Sequence, residues 1–349
     1  MQITIARAKV NRPKPAPASL GFGRIFTDNM FIMDYTTEKG WYDPRIVPYA
    51  PFSLEPAAMV FHYAQEVFEG LKAYRREDGK VQLFRPTANI KRMRDSCERL
   101  CIPPVDDAIY LDALKTLVET EIDWVPSAPD TSLYLRPFII ATEPHVGVHA
   151  SNRYIFAIIA SPVGAYYAEG LNPVKIYVEA KDVRAVKGGM GFAKTGGNYA
   201  ATLKAGETAG QNGFSQVLWL DGVQRKYIEE VGSMNVFFKF GDEVATPALQ
   251  GSILPGVTRD SCLKILRSWN MTVNERTIDV DELKNCSEAW GSGTAAVISP
   301  IGEIVYNGSR IIINEGKIGE TTQKLYDYLT GIQWGKIPDP FGWTEPVNS

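Results

Sequence analysis

Residues 132–140 (SLYLRPFII) and 153–163 (RYIFAIIASPV) are long runs of β-branched and aromatic residues, separated by the turn-rich EPHVGVHASN. Two such runs joined by a turn predict neighbouring strands. The strand signal recurs in VQLF (81–84), KIYVEA (175–180), NVFFKF (235–240) and VATP (244–247), and QVLWL with VQRKYIEE predicts a hairpin on an Asp221-Gly222 turn. Helical spacing is confined to short stretches. Pro86 opens one, with Ile90, Met93, Cys97 and Leu100 on a common face and Arg92 off it. A second short helix is expected near 199–209. A third begins at Thr258, a good N-cap residue, and turns Cys262, Ile265 and Leu266 inward. The strand-helix-strand rhythm of a doubly wound sheet is missing, so the expected fold class is mixed α/β with mostly antiparallel or mixed sheets.

With 349 residues, 45% of them hydrophobic, the chain exceeds what one hydrophobic centre is expected to serve. Two domains are expected: a small α/β domain over 1–165, an interdomain loop over 166–180 and a larger domain over 181–349. The 37 basic and 40 acidic residues nearly cancel, and no Lys/Arg block marks a nucleic-acid or acidic-lipid partner. The opening MQITIARAKVNRPKPAPAS has no apolar core followed by a cleavage site, and no later stretch is apolar enough to span a bilayer, so a cytoplasmic enzyme is expected. Four cysteines make no disulfide framework, and Cys97 and Cys101 read as buried thiols on one helix. Histidines occur at 62, 145 and 149 only. They match neither the usual zinc-ligand spacing nor a His-based triad, and no metal is expected.

The most informative segment is VKGGMGFAKTGGNYAATL (186–203), where five glycines surround Lys194 in an apolar neighbourhood. Glycine is tolerated where a ligand lies against the backbone. A lysine desolvated there becomes a usable amine nucleophile for a carbonyl, which makes Lys194 a Schiff-base candidate. GGMGFAKT also approaches the phosphate-binding GxxxxGK[ST] pattern, with Ala193 in place of the last glycine, and a solvated surface loop fits the segment equally well. Three further stretches carry chemistry. In YIEEVGSMN two adjacent acids should point to opposite faces of a strand, one solvated and one buried, and a buried carboxylate needs a cationic partner. In LPGVTRD, Val257 and Thr258 stand at a helix N-terminus that favours an anion. In WGSGTAAVISP, the groups of Ser292, Thr294 and Ala295 can meet a phosphate or carboxylate. Each has a bland alternative: a salt bridge, an ordinary capped helix, a tight turn.

Taken in order, FGRIFTDNMFIMDY, FHYAQEVFEGLKAYR, SLYLRP, EPHVGV, KGGMGFAKTGGNYAATL, EEVGSMNVFF, GSILPGVTRD, WGSGTAAVISP and IQWGK resemble the branched-chain amino acid aminotransferases, two-domain pyridoxal-phosphate enzymes of fold type IV, over almost the whole chain. The resemblance implies ping-pong amino transfer from leucine, isoleucine or valine to 2-oxoglutarate on pyridoxal 5'-phosphate. It implies that Lys194, in the larger domain, bonds the cofactor and shuttles the proton, that Glu230 pairs with the pyridine nitrogen, and that Arg92, Val257, Thr258 and Thr294 hold the phosphate. Tyr199 is implied beside the ring's phenolic oxygen. The substrate carboxylate falls to Thr294, Ala295 and Tyr134, the side-chain pocket to Phe68 and Tyr199, and the second carboxylate of glutamate to Arg136. Tyr63, Val146 and Val148 match positions that reach the pocket from the partner subunit of a homodimer. Ala296 and Ser299 stand where animal members carry a redox-sensitive cysteine pair, so that regulation is not expected, and the lack of a presequence speaks against a mitochondrial form. Other enzymes of the same fold, the D-amino acid aminotransferases and aminodeoxychorismate lyases, are shorter; a P-loop nucleotide-binding enzyme is the remote alternative.

Overall fold

The computed structural model describes residues 1–10, 12–164 and 171–347. The chain divides into two compact units. The first comprises Met1–Tyr166, Ala193–Gly196 and Gly331–Ser349, and the second Tyr167–Phe192 and Gly197–Thr330. Lys194, expected in the larger domain, therefore groups with the first unit. Of the expected linker at 166–180, residues 166–170 lie outside the described residues and Val174–Glu179 is a sheet strand, because Ile176 and Val178 face a core that a linker would leave exposed.

The first unit is built on a sheet that runs Thr4–Ile5, Gly40–Pro48, Asn29–Thr36, Arg153–Val163, Ser132–Ala141, Leu71–Arg75, Val81–Phe84 and Thr344–Pro346, with Glu66–Phe68 also paired to Ser132–Ala141. Every pairing is antiparallel except the first. The two long runs at 132–141 and 153–163 pair along their whole length, as their alternation predicts. The helix Pro86–Arg99 opens on its proline and buries Ile90, Met93 and Cys97. Arg92 is buried as well. Cys101 lies beyond the helix, exposed and at φ +56°, so only Cys97 of the expected pair is a core thiol. The helix Asp107–Thr120 starts where the Asp106 carboxylate accepts the amides of Ala108 and Ile109, and buries Tyr110, Ala113, Leu114, Leu117 and Val118.

The second unit holds a mixed sheet in the order Ile228–Val231, Gln216–Leu220, Val174–Glu179, Val297–Tyr306, Glu288–Gly293, Asn235–Phe240, Glu243–Pro247 and Thr272–Arg276, with Ser309–Ile312 on Val297–Tyr306. Val174–Glu179 runs parallel to both neighbours. The expected two-residue hairpin turn is instead the loop 221–227. The Asp221 carboxylate accepts the amides of Val223, Gln224, Lys226 and Tyr227, which holds its pKa down at about 2 despite the opposing effect of burial and stabilises a wider loop than Asp-Gly alone implies. The expected helix near 199–209 is two pieces, Gly196–Ala200 and Leu203–Gln211. The helix Val257–Ser268 is capped by Gly256 and not by Thr258, for a Cβ at 256 would overlap the Asn235 carboxamide.

Candidate active site

In the first unit the strand Glu66–Phe68 brings Phe68 under the lysine segment. The Phe68 amide donates to the Lys194 carbonyl at 3.0 Å, and the Lys194 amide donates to the Ser96 hydroxyl at 2.9 Å. Thr195 Oγ1 donates to the Glu66 carbonyl, and the Gly196 amide to the Glu66 carboxylate. These bonds fix the backbone on both sides of the side chain. Its Nζ then sits 4.8 Å from the centre of the Phe68 ring. The Arg136 guanidinium touches the same ring, at 4.8 Å, and its Nη2 donates to the Tyr134 hydroxyl at 3.0 Å. Tyr134 and Arg136 are two apart on one strand and so share a face. The expected residues Phe68, Tyr134, Arg136 and Lys194 are thus brought together. Gly70 leaves room for this group, because a Cβ there would overlap the Tyr134 hydroxyl.

Arg92 is buried and bound to Glu69 through Nε–Oε1 at 2.7 Å and Nη2–Oε2 at 2.8 Å. Asn89 and the Gly70 amide also donate to that carboxylate. Burial alone would raise the Glu69 pKa, but the charge and hydrogen bonds of Arg92, the charge of Lys194 and the Asn89 bond outweigh it and hold the carboxyl below its ordinary range. Glu66, Glu69 and the buried Lys72, register partner of Tyr134, are members of this neighbourhood that sequence reasoning missed. Glu66 and Phe68 stand two apart on a strand, a spacing that signals a common face. The Tyr63 hydroxyl donates to the Val146 carbonyl, and Val146 and Val148 are 67% and 82% exposed.

In the second unit Glu230 is only 3% exposed. Its Oε1 accepts the Leu254 amide at 2.8 Å and its Oε2 lies 3.1 Å from the Nε of buried Arg184, which also donates to the Ser252 carbonyl. Glu229, expected in solvent, is buried too, for its carboxyl accepts the Ser252 hydroxyl; burial pushes its pKa up. Leu254 leads directly into Val257 and Thr258, both buried in the first helical turn, where the helix dipole is positive. Asn235 ties this segment to the sheet through the Leu254 carbonyl. Thr294, Ala295 and Ala296 form a three-residue connection closed by the pair Gly293 and Val297. Val297 holds φ +61°, a left-handed conformation that a β-branched residue adopts only where its surroundings impose it. Met234 packs on Gly291 and Gly293 beneath that connection. Tyr199, half-buried, stands in the helix Gly196–Ala200.

The first unit offers an amine, an arginine and a phenol, groups that suit a phosphorylated aldehyde, and the second, taken by itself, a buried carboxylate, a helix start and a tight glycine-bordered turn, which suit a protonated ring nitrogen and an anion. The fold and these residues define a class of enzyme: the amino-transferase class IV family model matches residues 66–304, and the chain belongs to that family. Over 99% of its length it is 57% identical to branched-chain-amino-acid aminotransferase 2 of Bacillus subtilis (strain 168), covering 97% of that protein. Branched-chain-amino-acid transaminase 1 of the same organism is 55% identical, with 96% of each chain covered. Among solved structures, the Escherichia coli branched-chain amino acid aminotransferase superposes with a TM-score of 0.78 at 26% identity, over 91% of this chain and 99% of that one. The T.th. branched-chain amino acid aminotransferase with pyridoxamine 5'-phosphate gives 0.78 at 25% identity, over 91% and 98%. The mixed α/β architecture is thus that of fold type IV, and the cofactor class is pyridoxal phosphate.

Proposed function

We propose that this protein is a branched-chain amino acid aminotransferase, moving the amino group reversibly between leucine, isoleucine or valine and 2-oxoglutarate, as a homodimer in the cytoplasm. The observation that carries the reading is the grouping of Lys194, Phe68, Tyr134 and Arg136: an amine, an apolar ring and a cationic hydrogen-bonding pair are what a substrate alternating between an aliphatic and an acidic side chain requires. An apolar wall alone would leave the second carboxylate of glutamate unpaired at high cost.

When bound, pyridoxal 5'-phosphate supplies the aldehyde that takes up the amino group and a pyridinium ring that withdraws electrons. Lys194 Nζ would hold the cofactor and, once the substrate amine has displaced it, would as a free amine accept the proton from the substrate α-carbon. The Glu230 carboxylate, oriented by Leu254 and Arg184, keeps the proton on the ring nitrogen. Arg92 with the backbone of Val257 and Thr258 and with Thr294 takes the phosphate, and Tyr199 flanks the ring. Thr294 and Ala295 with Tyr134 take the α-carboxylate, while Phe68 and Tyr199 line the side-chain pocket and Arg136 receives the distal carboxylate. Val146 and Val148, apolar and exposed on one loop, support their use by a second copy together with Tyr63.

The test is the visible spectrum of the protein with pyridoxal phosphate before and after leucine. The expected result is a band of lysine-bound cofactor that leucine bleaches and 2-oxoglutarate restores, absent in Lys194→Ala. A band that forms but ignores leucine overturns the substrate, and no band at all overturns the cofactor role of Lys194.

A further inference from the structure

The connection between the strands Ser132–Ala141 and Arg153–Val163 carries Glu143, His145 and His149, whose ligand atoms lie within 4.8 Å of one another. We propose that these three side chains form a binding site for a divalent transition-metal ion of the zinc class. The proposal does not depend on the activity proposed above.

The backbone holding them is anchored at several points. The Met59 amide donates to the Glu143 carbonyl at 3.1 Å and the His145 amide to the Ala57 carbonyl at 3.0 Å. The Glu143 carboxylate is aimed by the Asn152 amide, which donates to Oε2 at 2.7 Å. His149 Nδ1 lies 3.1 Å from the Gly147 carbonyl, and a carbonyl can only accept, so that nitrogen carries a proton. Nε2, the other ring nitrogen, is then the one that faces Glu143, at 3.3 Å from each carboxylate oxygen. A lone pair pointed at a carboxylate is repelled unless a cation or a second proton stands between them. This is the outer-shell arrangement that orients metal-bound imidazoles, with the far N–H on a carbonyl and the near nitrogen on the ion. His145 offers Nδ1 from the other side, 3.9 Å from Glu143 Oε1, and its ring meets that of His149 edge-on at 4.7 Å.

Two imidazoles and one carboxylate select zinc-like ions over calcium or magnesium, which take oxygen ligands. Ligands around zinc stand about 2.0–2.2 Å from the ion, so binding draws the His145 ring inward. The side chains are 17%, 54% and 36% exposed for Glu143, His145 and His149, open enough for an ion to enter and for water to complete its shell. Sequence spacing hid the set: Glu-x-His-x-x-x-His sits on a strand connection, not on the helix or knuckle of familiar zinc motifs.

The holoenzyme is dialysed against ZnCl2 and its metal content measured, for the native chain, for a His145→Ala/His149→Ala double variant and for Cys101→Ser. The native chain and Cys101→Ser are expected to retain one zinc per chain more than the double variant. Zinc should also raise the thermal midpoint of the native chain and not of the double variant, while His149→Gln weakens binding by more than about 10-fold. Equal zinc content in native and double variant overturns the site, as does loss of the extra zinc in Cys101→Ser.

Discussion

Arg92 and Glu69 are joined by two parallel hydrogen bonds, Nε to Oε1 and Nη2 to Oε2, out of reach of solvent. A charge buried this way is stable only while its partner keeps the opposite sign. Replacing Glu69 by Gln strands the guanidinium and is expected to destabilise the protein by about 3–5 kcal/mol, read by urea unfolding at neutral pH. The native Glu69 carboxyl lies below its ordinary range, so its contribution is present above the unfolded-state value of about 4.3 and is lost as pH falls through the folded-state value. The difference between native and Glu69→Gln should therefore shrink on acidification. A gap that stays constant down to acid unfolding would refute the pairing as its cause.

The contact between Gly70 and Tyr134 gives a second expectation. A Cβ at residue 70 occupies the position of the Tyr134 hydroxyl, and so displaces the partner of Arg136. With one hydrogen bond lost at about 0.5–1.5 kcal/mol, Gly70→Ala should raise KM for leucine and 2-oxoglutarate roughly 2- to 10-fold. The spectrum of the bound cofactor should not change. Steady-state kinetics decide it, and an unaltered KM removes Tyr134 and Arg136 from the substrate site.

Lys72 makes the third, in a higher pH window. Burial lowers its amine to about 8, below the unfolded-state value. Between these values the unfolded chain holds a proton that the folded chain has released, so stability from this group rises with pH across that window. Below it, the folded chain buries a charge. The native protein should therefore gain stability relative to Lys72→Met between about pH 8 and pH 10, by at most about 3 kcal/mol. A difference in urea midpoint that stays constant over this range would refute the lowered amine.

The strands at 132–141 and 153–163 were legible in the sequence because period-two alternation and flanking turns act locally, and Pro86 marked its helix for the same reason. Asp221 shows where such reasoning stops. Its dipeptide with Gly222 is a hairpin signal, but the carboxylate's capture of four amides is a property of the folded loop. Thr258 has the chemistry of a cap, and the crowding of Gly256 against Asn235 sets the helix start two residues earlier. Around Lys194 the ring of Phe68 and the pair Tyr134 and Arg136 were read from resemblance and do meet. The buried charges Glu69 and Lys72 and the half-buried Glu66 passed unnoticed, and both acids at 229 and 230 are buried where only one was expected to be, because a charged residue bears no local mark of the desolvation that tertiary packing will impose on it.

The first unit is completed by Ala193–Gly196 and by the strand Thr344–Pro346, which pairs with Val81–Phe84 from the far end of the chain. A gene fragment ending near residue 166 would encode neither piece. Its product would lack Lys194 and would expose a sheet edge that the whole chain covers. Each unit is interrupted in sequence by the other, so no single cut in the gene separates segments that encode one unit apiece.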